Sequence, residues 1–255
     1  MIHPTAIVDS EAKIGRNCVI GPYCIIGPYV KLGDNNTLFS NVVISGDTTI
    51  GNNNKFYHSA VIGTDSQDLK DKGDLTKLFI GNNNSFREFC TVNKSATLDE
   101  PTSVGNNCLL MTYTHVAHNC KLGNNIVIAN SSNLAGHCHI DDYVVIGGMS
   151  AISQFVHIGV QTFIGGMSGI SKDVPPYIRG TGLPFRVIGI NSIGLERRGF
   201  SLEAIKSIKD LFKIFYKSNL NVSQALLKCT EIDNITTEQN IFLDFIRNSN
   251  RGINR

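Results

Sequence analysis

The stretch Cys18-Val-Ile-Gly-Pro-Tyr-Cys-Ile-Ile-Gly-Pro-Tyr-Val-Lys-Leu-Gly33 repeats every six residues. In each hexad a smaller apolar residue is followed two positions later by a large apolar one, and a glycine comes next. A period of six is neither the 3.6 of an amphipathic helix nor the 2 of a simple strand. It predicts short strands joined by sharp corners, with one small and one large side chain facing inward and glycine relieving the backbone at the turn.

The same repeat continues along most of the chain. Steps of six from Val8 to Ile62, and again from Ile80 to Ile170, meet only large apolar residues, and the two series are in phase. Three hexads close one triangular coil, so residues 18 apart in sequence lie above one another, at roughly the 4.8 Å spacing of strands. The sequence therefore predicts a mainly β protein with a parallel β-helix of hexapeptide repeats from about residue 3 to 175.

Composition narrows the class of protein. The chain has 255 residues and a net charge of +2, which is too small to indicate nucleic-acid binding. It contains no apolar run long enough for a membrane span and does not begin like a signal peptide. Of the 7 cysteines, six fall on the small inward position of the hexad, which indicates core packing rather than metal or redox chemistry. We expect a cytoplasmic protein without an integral membrane segment.

Two interruptions and a change of period divide the chain. The polar segments 64–79 and 94–103 predict loops, and Leu98 matches the phase there only by chance. The repeat domain is predicted to span residues 1–177 and to end at Val174-Pro-Pro-Tyr177, where two prolines stop the ladder. Residues 178–200 are expected to form a linker. Residues 201–255 predict a small α-helical domain, with Ser201 as the N-cap of the first helix and further helices near 223–232 and 237–248.

The stretch Thr112-Tyr-Thr-His-Val-Ala-His-Asn-Cys120 carries the candidate chemistry. Stacking by 18 places His118, Gly136 and Gln154 in one column at a corner of the coil. The His118 imidazole is a candidate general base, and the Gly136 backbone N–H can approach a reacting carbonyl and stabilise an oxyanion. This pairing suggests acyl transfer. Three alternatives stay open: polar corner residues of a non-catalytic scaffold, a zinc site of His115, His118 and His137 as in a β-helix hydratase, or acyl transfer to an amine.

Several motifs resemble one family over essentially the whole chain. In order they are Ile2-His-Pro-Thr-Ala-Ile-Val8, Gln67-Asp-Leu-Lys70, His115-Val-Ala-His118, Leu134-Ala-Gly-His137, Asp173-Val-Pro-Pro-Tyr177 and Asn191-Ser-Ile-Gly-Leu-Glu-Arg-Arg-Gly-Phe200. The sequence resembles the acyl-[acyl-carrier-protein]–UDP-N-acetylglucosamine O-acyltransferases. The resemblance implies a homotrimer of left-handed parallel β-helices with active sites between subunits and no metal or redox cofactor. It also implies transfer of a 3-hydroxyacyl group from acyl carrier protein to the 3-hydroxyl of UDP-N-acetylglucosamine, the first step of lipid A synthesis.

The resemblance also assigns roles to residues. It makes His118 the general base and Gly136 the oxyanion donor. The residues implied to line the sugar and pantetheine region are Asp68, Lys70, His115, His137 and Gln154. Asn191 and Arg198 are implied to bind the nucleotide, in the segment 178–200, and Arg197 to meet phosphate or the carrier protein. Gly166 takes the position that sets acyl-chain length, where a small residue leaves room for a long chain.

Four positions depart from the common family pattern. Asn119 stands where the family often has aspartate, Asn93 and Ser153 where histidine is frequent, and Ile193 where a glutamate is linked to uracil recognition. These changes leave open whether the acceptor group is a hydroxyl or an amine. The related N-acyltransferase is the runner-up, and it usually carries a further domain before the repeats.

Overall fold

The computed structural model describes all residues from 1 to 255. Most strands contain two residues, as a six-residue period requires. In chain order the strands are β1 (Ile7–Val8), β2 (Lys13–Ile14), β3 (Val19–Ile20), β4 (Ile25–Ile26), β5 (Lys31–Leu32), β6 (Thr37–Leu38), β7 (Val43–Ile44), β8 (Asp47–Ile50), β9 (Lys55–Phe56), β10 (Val61–Thr64), β11 (Lys77–Ile80), β12 (Ser85–Phe86), β13 (Thr91–Asn93), β14 (Thr102–Val104), β15 (Leu109–Leu110), β16 (His115–Val116), β17 (Lys121–Leu122), β18 (Val127–Ile128), β19 (Asn133–Leu134), β20 (His139–Ile140), β21 (Val145–Ile146), β22 (Ala151–Ile152), β23 (His157–Ile158), β24 (Phe163–Ile164), β25 (Gly169–Ile170), β26 (Ile178–Thr181) and β27 (Arg186–Ile190).

Every third strand belongs to the same sheet, so the three sheets form the faces of a triangular prism. Sheet 1 runs β1-β4-β7-β10-β13-β16-β19-β22-β25, sheet 2 runs β2-β5-β8-β11-β14-β17-β20-β23, and sheet 3 runs from β3 through every third strand to β24, β26 and β27. Within the coils the pairing is parallel with a register of 18, as for Lys121 with His139 and His139 with His157. We call the edges between faces the 1–2, 2–3 and 3–1 corners. This arrangement confirms the predicted coil.

The interior of the prism is filled by stacked apolar side chains, as the repeat predicts. From Ile20 onward the large hexad residues are buried apart from Leu98, and Phe56 and Phe86 stack at 4.9 Å between ring centroids. All seven cysteines are buried and unpaired. Burial raises the pKa of the Cys90 thiol, because the anion would lose its hydration. The hexad cysteines are therefore packing residues, as the repeat predicts.

The prediction that the repeat glycines relieve the backbone at the turn is wrong. The left-handed residue of each corner is a non-glycine three positions after the large inward residue, for example Asn17, Tyr23 and Asn35 with φ near 58°. Among the glycines that follow a large inward residue, only Gly63 has a positive φ. The glycines instead permit close approach: a Cβ on Gly21 would lie 2.7 Å from the carbonyl oxygen of the next coil. Tight stacking of coils, not turn geometry, requires them.

Asparagine and aspartate side chains hold the 2–3 corner together. The backbone N–H of Asn52 donates to Oδ1 of Asn82, and the N–H of Asn82 donates to Oδ1 of Asn106, each at 2.7 Å. The same kind of bond, from a backbone N–H to a side-chain oxygen in the next coil, recurs in consecutive coils from Arg16 to Asp142. These side chains accept from backbone donors that the strands do not reach, so the corner leaves few unpaired amides. We call this row of acceptors the corner ladder.

Both predicted loops leave the prism at the 1–2 corner, in consecutive coils. The first connects β10 to β11 and the second connects β13 to β14. Leu98 in the second loop is 69% exposed, so its phase match was indeed accidental. The two loops are tied by Lys94, which is buried and contacts Asp65 at 3.1 Å.

The backbone pairing between coils does not stop at Tyr177, so the predicted end of the repeat domain at residue 177 is corrected. The N–H of Val174 donates to His157 and that of Tyr177 to Val160, so the two prolines fall where no backbone donor is needed. β26 then pairs in parallel with β24, and β27 pairs antiparallel with β26. The segment 178–200 is thus a β-hairpin followed by a short helix rather than an irregular linker.

Four helices complete the chain: α1 (Ser192–Arg197), α2 (Leu202–Tyr216), α3 (Val222–Cys229) and α4 (Thr237–Arg247). Ser201 caps α2 as predicted, and its hydroxyl accepts from the N–H of Ala204 at 3.1 Å. The helices dock on the last coil, where Phe245 packs on His157 and Ser249 donates to Asp173 at 2.6 Å. None of the four combines the length and apolarity needed to cross a bilayer.

Candidate active site

His118 lies at the 1–2 corner, two residues after the end of β16. The residue is 6% exposed, and its neighbour Asn119 takes the left-handed conformation of the corner with φ 56°. Coil stacking is visible in the bond from the His137 N–H to the His118 carbonyl. His118, Gly136 and the exposed Gln154 therefore occupy successive coils of one column, as the sequence predicts. The two loops project from the same corner in the two preceding coils, so they overhang this column.

Gly136 lies in direct contact with the His118 ring. A Cβ added to Gly136 would collide with Nε2 and Cε1 of the imidazole, so no other residue permits this approach. The backbone N–H of Gly136 donates to no protein atom. One basic nitrogen and one free amide donor thus belong to two residues in direct contact. That is the arrangement that general-base attack on a carbonyl requires.

Asn119 holds the other side of the His118 ring. Nδ1 of His118 lies 2.9 Å from Oδ1 of Asn119. Asn119 is 1% exposed, and its amide nitrogen lies within hydrogen-bond distance of the Ser95 and Thr97 hydroxyls and the Glu100 carbonyl, all in the second loop. The orientation of the ring is therefore set by a loop more than 15 residues earlier in sequence.

Acidic side chains from the two loops approach the histidines. Oδ2 of Asp68 lies 3.8 Å from Nε2 of His118, and Oε2 of Glu100 lies 3.3 Å from Nδ1 of His137. Glu100 also accepts from Lys121, and this bond holds the pKa of the Glu100 carboxyl below its usual value. His137 meets His118 edge-on at 5.2 Å and stacks on Phe155 at 4.7 Å. The predicted cluster of His118, His137 and Asp68 is thus brought together.

The remaining predicted residues of this cluster sit at its margin. His115 is half-buried, its Nδ1 lies 2.7 Å from the Thr91 hydroxyl, and burial together with His118 lowers its pKa. A lowered pKa keeps His115 neutral near pH 7. Lys70 is exposed beside Asp68, whose carboxylate accepts the Lys70 backbone N–H. The Lys70 side chain is therefore free to meet a ligand.

The predicted nucleotide residues lie elsewhere, on the outer side of sheet 3. A cavity of about 530 Å³ there is lined by Arg197, Arg198, Asn191 and the strands below them. Arg198 lies over the Tyr143 ring at 5.1 Å and is half-buried, which lowers its pKa through lost hydration. The Asn191 side chain is already used: it caps α1 and donates to the Gln161 carbonyl at 2.8 Å.

The two groups are on opposite sides of the prism. His118 is at the 1–2 corner, whereas Arg198 is on sheet 3, the face that does not contribute to that corner. The interior side chains fill the space between them. Gly166 is at neither place, since it follows β24 at the 3–1 corner, exposed and next to Gly148 of the preceding coil. One protomer therefore does not assemble the predicted site by itself.

A further histidine cluster lies on the last two strands of sheet 2, β20 and β23. Ligand atoms of His139, Asp141 and His157 come within 4.8 Å of one another. The two imidazoles are stacked at 4.3 Å with planes 5° apart. An ion between parallel rings cannot lie in both ring planes, where the nitrogen lone pairs point. The 2.9 Å bond between His157 Nε2 and Asp141 instead indicates a stacked pair anchored by a carboxylate.

Known proteins match the chain over its full length. The family described as Udp N-acetylglucosamine O-acyltransferase, domain 2, matches residues 173–254, and the bacterial transferase hexapeptide family (six repeats) matches residues 101–136. The acyl-[acyl-carrier-protein]–UDP-N-acetylglucosamine O-acyltransferase of Psychromonas ingrahamii is 56% identical over all of this chain and 98% of its own. That of Chlamydia abortus is 48% identical over all of this chain and 91% of its own. The chain belongs to this acyltransferase family.

Solved structures of the acyltransferase family have the same fold. The UDP-N-acetylglucosamine acyltransferase of Bacteroides fragilis superposes with a TM-score of 0.97 at 44% identity, with all of both chains covered. That of Francisella novicida gives 0.96 at 39% identity, covering all of this chain and 94% of its own. The predicted fold class, a left-handed parallel β-helix with a small helical C-terminal domain, is confirmed.

Sequence reasoning missed the loop residues that support the acyltransferase site. Ser95, Thr97 and Glu100 hold Asn119 and His137, but all three lie in a segment that lost the hexad pattern. A loop of irregular conformation gives no periodic signal from which such contacts follow. The one signal available was the aspartate-to-asparagine departure at Asn119, which marked the position without revealing its partners.

Proposed function

We propose that this chain transfers a 3-hydroxyacyl group from the thioester of acyl carrier protein to the 3-hydroxyl of UDP-N-acetylglucosamine, the first step of lipid A synthesis. The observation that carries the proposal is the contact between Nε2 of His118 and a glycine whose N–H has no acceptor. The relatives' names supply the substrates, and this contact supplies a place for the reaction. We also propose that the reaction takes place in the cytoplasm.

The proposed reaction needs only these two groups at its centre. Nε2 of His118 takes the proton of the sugar hydroxyl while the hydroxyl oxygen attacks the thioester carbonyl carbon. The negative charge on the carbonyl oxygen is stabilised by the Gly136 N–H. The tetrahedral intermediate then collapses and breaks the carbon–sulfur bond. The leaving thiolate takes the proton from the imidazolium, which gives an ester, a free pantetheine thiol and neutral His118.

The neighbouring groups fit roles in binding. Asp68 and His137 flank the base and offer hydrogen-bond partners to sugar hydroxyls, and the free side chains of Lys70 and Gln154 extend the same surface. His115, neutral because of its lowered pKa, can donate or accept without adding charge beside His118. These assignments require no metal or redox cofactor.

The nucleotide requires a second subunit. Arg197 and Arg198 suit a diphosphate, because guanidinium groups bind phosphate oxygens in a two-pronged geometry. They line the cavity on sheet 3, while His118 lies at the opposite corner. A homotrimeric ring in which sheet 3 of one protomer faces the 1–2 corner of the next would bring both halves to one site, three times. Gly166, at the 3–1 corner with no side chain to obstruct it, is then placed to admit the acyl chain.

The test is product analysis by mass spectrometry with acyl carrier proteins of several chain lengths. UDP-N-acetylglucosamine and its 3-amino analogue are supplied as competing acceptors. His118→Ala should abolish turnover, since a general base supplies a factor of about 10² to 10⁴. His58→Ala is a matched control, because His58 has the same hexad position at the 3–1 corner and is exposed. Full turnover by His118→Ala would contradict the proposal, and preferred use of the amine would reassign the acceptor.

A further inference from the structure

The ring of His137 has neighbours on three sides. Its backbone N–H donates to the His118 carbonyl, which fixes the residue in its coil. The imidazole stacks on Phe155 at 4.7 Å and meets the His118 ring edge-on at 5.2 Å between ring centroids. The third neighbour is Glu100 of the second loop, whose Oε2 lies 3.3 Å from Nδ1. Packing therefore fixes the ring and leaves to this polar neighbour the choice of which nitrogen carries the proton.

The Glu100 carboxylate is divided between two partners. Oε1 lies 2.7 Å from Nζ of Lys121 on β17, and Oε2 faces Nδ1 of His137. The bond from Lys121 holds the pKa of the Glu100 carboxyl below its usual value, so the group is an anion at neutral pH and can only accept. The Glu100 side chain is 39% exposed, so the ion pair adds little to the stability of the fold. What it does supply is a fixed anion beside a histidine of the site.

We infer that Glu100 is a positioning residue that presents His137 as a hydrogen-bond acceptor to a hydroxyl of the sugar nucleotide. A carboxylate oxygen beside Nδ1 repels a lone pair there, so the neutral ring carries its proton on Nδ1. Nε2 then keeps its lone pair, and no protein group is bonded to it. A sugar hydroxyl can donate to this nitrogen. The inference rests on the function proposed above and adds to it a residue that acts through His137.

Charge considered alone predicts the opposite effect of removing Glu100. The sugar nucleotide carries a diphosphate, and the loss of a nearby carboxylate lowers the repulsion between protein and ligand. Glu100→Ala would then bind the sugar nucleotide more tightly. Positioning predicts weaker binding, because a His137 ring with its proton on Nε2 does not accept from a sugar hydroxyl. The two arguments therefore predict changes of opposite sign, and the effect of positioning is confined to the sugar.

The experiment measures Kd by calorimetry on the full chain for UDP-N-acetylglucosamine and for UDP, which lacks the sugar. We expect Glu100→Ala to raise Kd for the sugar nucleotide about 2- to 12-fold, as the loss of one hydrogen bond does, and Kd for UDP not to rise. The control is Asp99→Ala, which removes the adjacent, exposed carboxylate of the same loop and should bind both ligands at least as tightly as the wild type. Unchanged or tighter binding of UDP-N-acetylglucosamine by Glu100→Ala, or an equal loss for UDP, would overturn the inference.

The tautomer of His137 is measured on the wild-type chain, so this result does not depend on the folding of Glu100→Ala. The protein is labelled with ¹⁵N-histidine, and the His137 signals are assigned by comparison with His137→Gln. At a pH where the ring is neutral, the expected result is a protonated Nδ1 and an unprotonated Nε2. A protonated Nε2 would overturn the inference even if acyl transfer is observed. Absence of acyl transfer, with the expected tautomer and the expected Kd values, would instead reject the proposed function and leave the role of Glu100 standing.

Discussion

A mixture of two defective variants should recover activity at limiting substrate, because the two halves of the proposed site belong to different protomers. His118→Ala removes the base at the 1–2 corner, and Arg198→Ala removes a guanidinium from the cavity on sheet 3. Each variant alone has three defective sites in a homotrimer. In a mixed ring, each site takes His118 from one protomer and Arg198 from its neighbour. The site is intact when the first protomer carries Arg198→Ala and the neighbour carries His118→Ala.

The size of the recovery follows from counting. In an equal, random mixture, half of the protomers keep His118 and half keep Arg198, so about a quarter of the sites have both. Truncating one partner of a buried charge pair costs about 2–5 kcal/mol, and the half-buried Arg198 corresponds to the lower end, about 30-fold in affinity, so the Arg198→Ala background is low at limiting substrate. The mixture should therefore reach about a quarter of wild-type turnover under those conditions.

The assay mixes the two purified variants in denaturant at equal concentration, refolds them together and measures ester formation. Each variant refolded alone gives the baseline, and refolded wild type gives the upper limit. Mixing the folded variants without denaturant controls for activity that does not need shared rings. Turnover of the refolded mixture no higher than the average of the two baselines would refute a site shared between protomers.

Two further predictions concern single residues. Gly136→Ala should lower kcat by a factor of roughly 10² to 10³, because the added Cβ displaces the His118 ring and obstructs the oxyanion donor. The control Gly27→Ala should match the wild type, since its Cβ would make ordinary contacts from 3.5 Å. Equal kcat for both variants would contradict the role of Gly136. Hydrogen bonds from the Arg87 guanidinium, with smaller contributions from the backbone and Thr112, lower the pKa of Glu88 from 4.5 to about 2. These bonds therefore stabilise the fold above about pH 4.5, and the stabilisation is lost as the pH falls towards 2. The difference in Tm between wild type and Arg87→Met should shrink over that interval, and a difference constant from pH 6 to 2 would refute the pairing.

The hexad predicted those parts of the structure that depend on local periodicity. A six-residue period with a fixed coil of 18 determines which residues face inward and which lie above one another. That is why Val116 was placed in the core and His118 beside Gly136 without any contact information. The same arithmetic accounts for the position of His139 directly above His157, where the two rings stack.

Features that depend on irregular backbone were not predictable in this way. The bonds from Ser95 and Glu100 to Asn119 depend on the path of a loop, which the repeat does not specify. The continuation past Tyr177 was missed because a proline matters only where its N–H is needed, and that is a property of the register. The opposite placement of Arg198 and His118 required the order of the strands in the three sheets.

The corner ladder has a consequence for how the chain finds its register during folding. Successive rungs are chemically almost identical, so a coil that skipped its neighbour and joined the next one would still meet an asparagine or aspartate oxygen as acceptor and an apolar interior. Two rungs differ in spacing, with 30 residues from Asn52 to Asn82 and 24 from Asn82 to Asn106, because the loops are inserted there. These unequal insertions make the central coils distinguishable. The loops that support the histidines therefore also act as position markers against misthreaded, shifted stacks.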